Sequence, residues 1–261
     1  MFTSLANALI KCPPFKGRLR LLRLALRAAD GGVVRSRYGV LFRVHSHDFT
    51  NWACISGAYG RDYDDVFEIV SSIKKGDAFV DVGANAGLFS MIAGGLVGES
   101  GIVVSFEPNK KVFDRLVDNS QLNGLSNIYA LNVAVGDTPG TMKFRAGDDD
   151  HTGIGRIDEA GSEEVEVVTF GNPEWFKLIG SREITIKIDV EGAEALAIEG
   201  LRPLLATGQV KTVVVEIDEA NLRSFGSVPS DIYAAMEVYG LRPHRGLNSS
   251  PHFNEVFQRV D

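Results

Sequence analysis

The stretch FVDVGANAG, residues 79–87, sets an acid, two glycines and an asparagine between an apolar run and LFSMIAGGLVG. A glycine-rich turn from a buried strand into a helix lets backbone approach a nucleotide-like ligand closely. A dinucleotide turn, G-x-G-x-x-G, needs glycine at its second position so that a pyrophosphate can lie on the chain. Here Asn85 holds that position between Gly83 and Gly87, and Asp81 would place a carboxylate beside the phosphates. A ligand with an ammonium and a sulfonium but no phosphate reverses the electrostatic objection. Glu107, in SFEP and 26 residues after Asp81, is an acid able to accept both hydroxyls of a ribose. S-adenosylmethionine is cationic, carries a ribose and lacks phosphate, and it is the cofactor these residue types suit.

Such residues need a scaffold. AFVDVG, GIVVSFEP, NIYALNVAVGD, EITIKIDVEG, KTVVVEI and FNEVFQRV read as strands. GLFSMIAGGLV, NKKVFDRLVDNSQLNG, GAEALAIEGLRPLLATG and PSDIYAAMEVYG read as helices between them. Near-continuous β-branched runs predict strands buried on both faces, hence a mostly parallel α/β sheet flanked by helices. The alternation breaks between residues 137 and 183. There TMKFRAGDDDHTGIGRID and EEVEVVTF predict extra strands around a polar loop that carries His151.

At 261 residues and 44% hydrophobic, the chain has the material for one large α/β domain and a small appendage. Cys12 and Cys54 form neither a metal-ligand spacing nor a disulfide framework, which suits a reducing, cytoplasmic compartment. No apolar run reaches the ~18 residues of a membrane span. MFTSLANALIK lacks the positive leading region and cleavage site of a signal peptide. The net charge of -7 is unevenly spread: residues 1–45 hold nine basic residues and one acid, leaving 18 basic against 33 acidic residues.

Within that basic segment FKGRLRLLRLALRAAD has helical spacing. Lys16, Arg20, Arg23 and Arg27 share one face; Phe15, Leu19, Leu22, Leu26 and Ala29 form a neighbouring stripe. A helix packed on the main domain with a solvated basic face is the preferred reading. Peripheral contact with the inner face of an anionic membrane is the alternative. Nucleic acid is disfavoured, because the acidic remainder repels phosphate. VVRSRYGVLFRV alternates as a hairpin turning near Tyr38-Gly39. Residues 1–60 are therefore expected to be a helix-and-hairpin extension, and residues 61–261 the main domain. His45 and His47 have no third ligand nearby and read as ordinary surface residues.

FVDVGANAGLFSMIA, VVSFEPNKKVFDRLVDNSQLNG, NVAVGD and ITIKIDVEGAEALAIEG, over residues 76–217, resemble the successive motifs of FkbM-family methyltransferases. The resemblance implies a class I S-adenosylmethionine-dependent methyltransferase on a Rossmann-like α/β fold. Its seven strands would run 3-2-1-4-5-7-6, with strand 7 antiparallel and helices on both faces. It also implies methyl transfer to a hydroxyl of a sugar, polyketide or related metabolite. By the resemblance Asp81, Gly83, Asn85 and Gly87 hold the methionine end of the cofactor and Glu107 the ribose. Asn132 and Ala134 fall near the adenine, and Asp189 stands at the end of strand 4 beside the methyl group.

With that strand order Asp81, Asp189 and Glu216 occupy consecutive strand tips, where doubly wound sheets bind ligands. Lys187, two residues before Asp189 and on the same side of its strand, partly balances them. An alcohol is a poor nucleophile until its proton leaves, so a hydroxyl acceptor calls for a base. Amine methylases of this class commonly carry Asn/Asp-Pro-Pro-aromatic at the end of strand 4, where this chain has DVEG. Asp189 is thus the first candidate for base or acceptor-orienting group, and His151 the second. No ligand spacing calls for a metal. Two other classes stay open from the residues alone. A nicotinamide-dependent oxidoreductase is opposed by Asp81 and Asn85. A non-catalytic scaffold is opposed by the joint presence of Asp81, Gly83, Gly87, Glu107 and Asp189.

Overall fold

The computed structural model describes residues 1–58, 63–245 and 250–260. The N-terminal part holds α1 (Phe2–Lys11), α2 (Arg18–Ala28), the hairpin β1 (Val33–Arg35) and β2 (Leu41–Arg43), and α3 (Phe49–Ser56). An alternation follows: α4 (Asp64–Ser72), β3 (Ala78–Val82), α5 (Leu88–Val97), β4 (Ile102–Phe106), α6 (Lys110–Leu122) and β5 (Ile128–Leu131). Next come β6 (Ala134–Val135), β7 (Gly140–Arg145), a single 3-10 turn at Thr152–Ile154, β8 (Arg156–Ile157) and β9 (Glu163–Val168). The alternation resumes with α7 (Pro173–Ile179), β10 (Ile184–Ile188), α8 (Glu194–Gly200), α9 (Arg202–Leu205) and β11 (Val210–Asp218). It ends with α10 (Glu219–Ser224), α11 (Pro229–Val238), β12 (Leu241–Pro243) and β13 (His252–Arg259).

The main sheet runs β12-β13-β11-β10-β3-β4-β5. The four pairings from β11 to β5 are parallel, and β13 lies antiparallel to both of its neighbours. Side chains alternate between its faces, as pleating requires. Phe79, Val103 and Val214 pack on α4 and α5, whereas Val80, Val104, Ile186 and Val213 pack on α8, α9 and α11. This is a Rossmann-like α/β arrangement. Asp81, Ser105 and Lys187 share the α5 face in register, Lys187 opposite Asp81 and Asp81 opposite Ser105, so the sheet itself lines up a buried polar row.

Two predicted elements are divided. The strand expected over NIYALNVAVGD ends at Leu131, and Ala134–Val135 pairs instead with β9 in a second sheet, β6-β9-β7-β8. Between them the Asn132 side chain donates to the carbonyls of Glu107 and Pro108, turning the chain out of the main sheet. The long helix expected over GAEALAIEGLRPLLATG breaks at Leu201, because Pro203 lacks an N–H and can only sit in the first turn of α9.

The N-terminal hairpin and α3 pack on the rest of the chain. Val40, Phe42, Cys54 and Ile55 share one core with Ala84, Leu88 and Leu116. Asn123 clamps both backbone groups of Leu41, and Arg43 pairs with Asp118, both on or beside α6. The helix α2 buries Leu22, Ala25 and Leu26, while Phe15 and Leu19 of the expected apolar stripe are exposed. Buried Arg18 explains the tight α1–α2 turn: its guanidinium donates to the carbonyls of Leu9, Ile10 and Cys12, which α1 leaves unpaired.

Candidate active site

A cavity of about 470 Å³ opens at the carboxyl ends of β3, β4 and β10. Its floor is made by strand tips bound to one another through backbone. Gly83 and Ala84 both donate to the Phe106 carbonyl, Asp189 donates to Val82, and Glu107 donates to Leu131. Gly83 has φ +78°, and a Cβ there would overlap the carbonyl oxygen of Asp189. The glycine is needed for one strand tip to touch another, a role distinct from backbone approach to a ligand.

Of the expected cofactor residues, Gly83, Asn85, Glu107 and Ala134 lie on the cavity wall. Asn85 adopts φ +52°, its side chain accepting from Ala86 N–H. Both Glu107 oxygens accept backbone N–H bonds, from Asn85 at 2.9 Å and Asn109 at 2.8 Å. Each oxygen keeps a further lone pair for a hydroxyl. Burial pushes this carboxyl up to about 7 against the pull of those bonds.

Asp81, Gly87 and Asn132 do not reach the wall. Asp81 is fully buried on the α5 face, where Ser90 donates to it at 2.6 Å and Lys187 Nζ lies 3.9 Å away. Burial raises its carboxyl above the usual range despite Lys187. Gly87 caps the start of α5 at φ +88°, where a Cβ would meet Met91 at 2.7 Å. Asn132 serves the backbone of the β4 tip rather than the cavity.

Asp189 is on the wall, beside Lys187 and Tyr63, with Glu216 and His252 following beyond Tyr63. Lys187 Nζ donates to its Oδ2 at 3.0 Å, and the Tyr63 hydroxyl lies 3.4 Å from the same atom. That hydroxyl is also 3.3 Å from Glu216, and His252 Nε2 lies 3.1 Å from Glu216 on the other side. Burial alone would raise the Asp189 carboxyl, but the charge and hydrogen bond of Lys187 outweigh it and hold Asp189 below the usual carboxylate range. Lys187 is in turn held above its ordinary value by Asp189 and Asp81, although burial opposes its charge. Glu216 is pushed up to about 7 by burial and by Asp189. Glu191, at φ +56°, is pushed up to about 8, again by burial first. The carboxylates of Asp189, Glu191 and Glu216 each offer an oxygen within 4.8 Å of the others, a grouping able to hold a divalent cation. The expected strand order already set Asp189 and Glu216 on neighbouring tips, and Glu191 joins them from the loop after β10. Tyr63 and His252 were missed because only folding brings them to the site.

A cover closes the cavity. Phe49, Thr50, Ala53 and Cys54 from α3 meet Thr152, Gly153 and Ile154 from the polar loop. Asp48 is the junction: it caps α3 through Thr50 N–H, accepts from Thr152 Oγ1 at 2.5 Å and pairs with Arg115. Gly153 is wedged, since a Cβ there would meet Thr50 at 2.6 Å and Asn85 at 2.8 Å. His151 does not join Asp189. Its ring is half-exposed beside Phe49, with Nδ1 3.5 Å from Asp148, and it is off the cavity wall. The neighbouring Thr152 turns inward instead, because Asp48 and Arg115 capture its hydroxyl.

The cavity fits S-adenosylmethionine. Its volume suits a small-molecule ligand, the Glu107 carboxylate is fixed with lone pairs to spare, and Val133 to Val135 give an apolar wall. Residues 81–243 match the methyltransferase FkbM domain. The hexuronic acid methyltransferase AglP of Haloferax volcanii is 27% identical over 153 residues, 57% of this chain and 59% of that protein. The match thus spans less than two thirds of that relative's length. A crystallised S-adenosylmethionine-dependent methyltransferase from Aquifex aeolicus superposes with a TM-score of 0.42 at 16% identity, over 76% of this chain and 90% of that one. A putative rRNA methylase from Clostridium thermocellum gives 0.48 at 11% identity, over 78% and 98%. With the domain match covering more than half of its residues, the chain belongs to the FkbM methyltransferase family.

Proposed function

We propose that this enzyme methylates a hydroxyl oxygen of a sugar-class small molecule, with Asp189 receiving the hydroxyl proton. The observation that carries the reading is Asp189 on the cavity wall, kept ionised by Lys187 at 3.0 Å. S-adenosylmethionine supplies an electrophilic methyl group on a sulfonium. In this reading Gly83, Asn85 and Ala134 hold it, and Glu107 accepts from its ribose hydroxyls. Asp81 and Gly87 contribute from behind the wall, the first through its charge and the second by starting α5. Asp189 orients the acceptor hydroxyl and takes its proton as the oxygen attacks, which an alcohol needs and an amine often does not. Glu216 and His252, bonded in sequence behind Asp189, lead that proton toward the exposed His252 ring. The cavity brings the two reactants together, which supplies much of the rate in such a displacement.

The name of the Haloferax relative supports a sugar acid as the acceptor, and Arg156 on the wall is a cation able to meet its carboxylate. The test is a mass-spectrometric screen of neutral sugars and hexuronic acids for the gain of one methyl, repeated with Asp189→Asn. The variant should bind S-adenosylmethionine normally and lose roughly two to four orders of magnitude in turnover. Near-normal turnover at saturating acceptor would remove Asp189 from this role.

A further inference from the structure

Half of the fourteen large apolar side chains exposed among the described residues fall within the first 24 positions, a tenth of the chain. Besides Met1 they are Phe2 and Leu5 on α1, Phe15 in the turn, and Leu19, Leu21 and Leu24 on α2. They are not the core-facing side of an amphipathic helix, because that side is already used. On α2, Leu22, Ala25 and Leu26 are buried against the domain. Leu21 and Leu24, 49% and 55% exposed, stand on a separate exposed stripe at a spacing of three. Arg20, Arg23 and Arg27, at steps of three and four, run beside it and are exposed as well. The first acidic residue of the chain is Asp30. A helix pair whose outer surface mixes leucine, phenylalanine and arginine, with no carboxylate, has the composition of an interfacial membrane element.

We infer that α1 and α2 seat this protein on an anionic lipid surface. Leu21, Leu24, Phe2 and Leu5 enter the headgroup boundary, and Arg20, Arg23 and Arg27 lie against lipid phosphates. The charge distribution orients the molecule: residues 46–261 carry 33 acids against 18 bases and are repelled by the surface that attracts the helices. None of the described helices is long and apolar enough to cross a membrane, so the contact is peripheral. A second copy of this chain fits the patch poorly. A two-fold contact would press the same basic surface on itself, with no acid among residues 1–29 to pair with it. Nucleic acid would use the arginines but would leave the exposed leucines in water.

The test is co-sedimentation of the full chain with vesicles of phosphatidylcholine alone and of phosphatidylcholine mixed with phosphatidylglycerol. Binding is expected to the mixed vesicles, weakening as salt is raised. The triple variant R20S/R23S/R27S should bind about a hundredfold more weakly, and L21Q/L24Q about tenfold more weakly. Both should keep the parent's S-adenosylmethionine affinity by calorimetry, which shows that they are folded. Absence of binding to the mixed vesicles, or binding to both vesicle types that neither variant alters, would overturn the inference. So would a concentration-dependent dimer, or tight binding to duplex DNA, that takes the place of vesicle binding.

Discussion

The floor of the cavity is four strand tips whose backbones bond to one another, whereas its cover is two segments joined by a backbone bond from Phe49 to Asp150 and by the side chains of Asp48, Thr50 and Arg115. Backbone contact fixes the floor by the register of the sheet, and little can change without moving a strand. Side-chain contact ties the cover to particular residues, so one substitution can loosen it without moving a strand. In the proposed function the floor holds the cofactor and the cover faces the acceptor, in line with loops on a rigid scaffold carrying specificity.

The sharpest way to break the floor is Gly83→Ala. The new Cβ would occupy the space of the Asp189 carbonyl, at a backbone angle that side chains rarely adopt. Left-handed strain and overpacking together predict a loss of roughly 3–5 kcal/mol, with S-adenosylmethionine binding lost too. Urea unfolding and calorimetry check both, and a variant of parental stability would show that the two tips are not in contact.

The cover breaks at Asp48. Asp48→Ala removes the partner of Arg115 and Thr152, and the Arg115 side chain is itself only 12% exposed. Losing one member of a buried pair costs roughly 3 kcal/mol. Amide exchange should quicken at residues 148–154 while the strand tips stay protected. Uniform quickening across the sheet would mean that floor and cover open together.

Apart from Asp189, which Lys187 holds down, the carboxyls of the two regions shift in opposite directions. On and around the floor, burial raises Glu107, Glu194 and Glu216 to about 7 and Glu191 to about 8. In the cover segment, Lys111 holds Asp149 down, and the Ala160 N–H and Arg145 hold Asp158 down. A carboxyl raised in the folded state binds its proton more tightly there than in the unfolded chain. Its stabilisation is complete below the unfolded value of 4.5 and is lost as pH rises through the folded value. Lowered carboxyls act oppositely, and only below about 4. The ligand-free protein should therefore lose thermal stability steadily between pH 5 and 8, and Glu107→Gln should flatten part of that slope. A midpoint that rises over this range would contradict the burial of these groups.

The floor was more legible in the sequence than the cover, for a reason visible in single residues. Gly83, Glu107 and Asp189 each end a β-branched run, so a local pattern locates them and parallel pairing brings them together. Asn132 and Gly87 sit in equally recognisable motifs, but those motifs serve packing, and spacing cannot separate a residue that touches a ligand from one that holds the turn. The cover depends on contacts such as Asp48 meeting Thr152 across 104 positions, which leave no periodic trace. Tyr63 reaches Asp189 and Glu216 the same way, from beside α4.

The smallest expected effect concerns His151, which sequence alone makes a candidate base. Its ring is half-exposed, lies 5.8 Å from the Phe49 ring and faces Asp148, so it has neither a route to the acceptor nor a buried partner to lose. What its loop contributes to the cavity comes from Thr152 and Gly153, whose bonds to Asp48 and Thr50 do not involve the imidazole. Substituting an exposed side chain of this kind usually changes stability by less than about 0.5 kcal/mol. His151→Ala should accordingly keep turnover within roughly twofold, against the hundredfold or greater loss that removing a general base brings. The comparison with Asp189→Asn, run on the same acceptor at the same pH, makes the measurement decisive. A tenfold or larger fall in turnover for His151→Ala would place chemistry in the cover, and Asp189 would then be left to orient the acceptor while the histidine takes its proton.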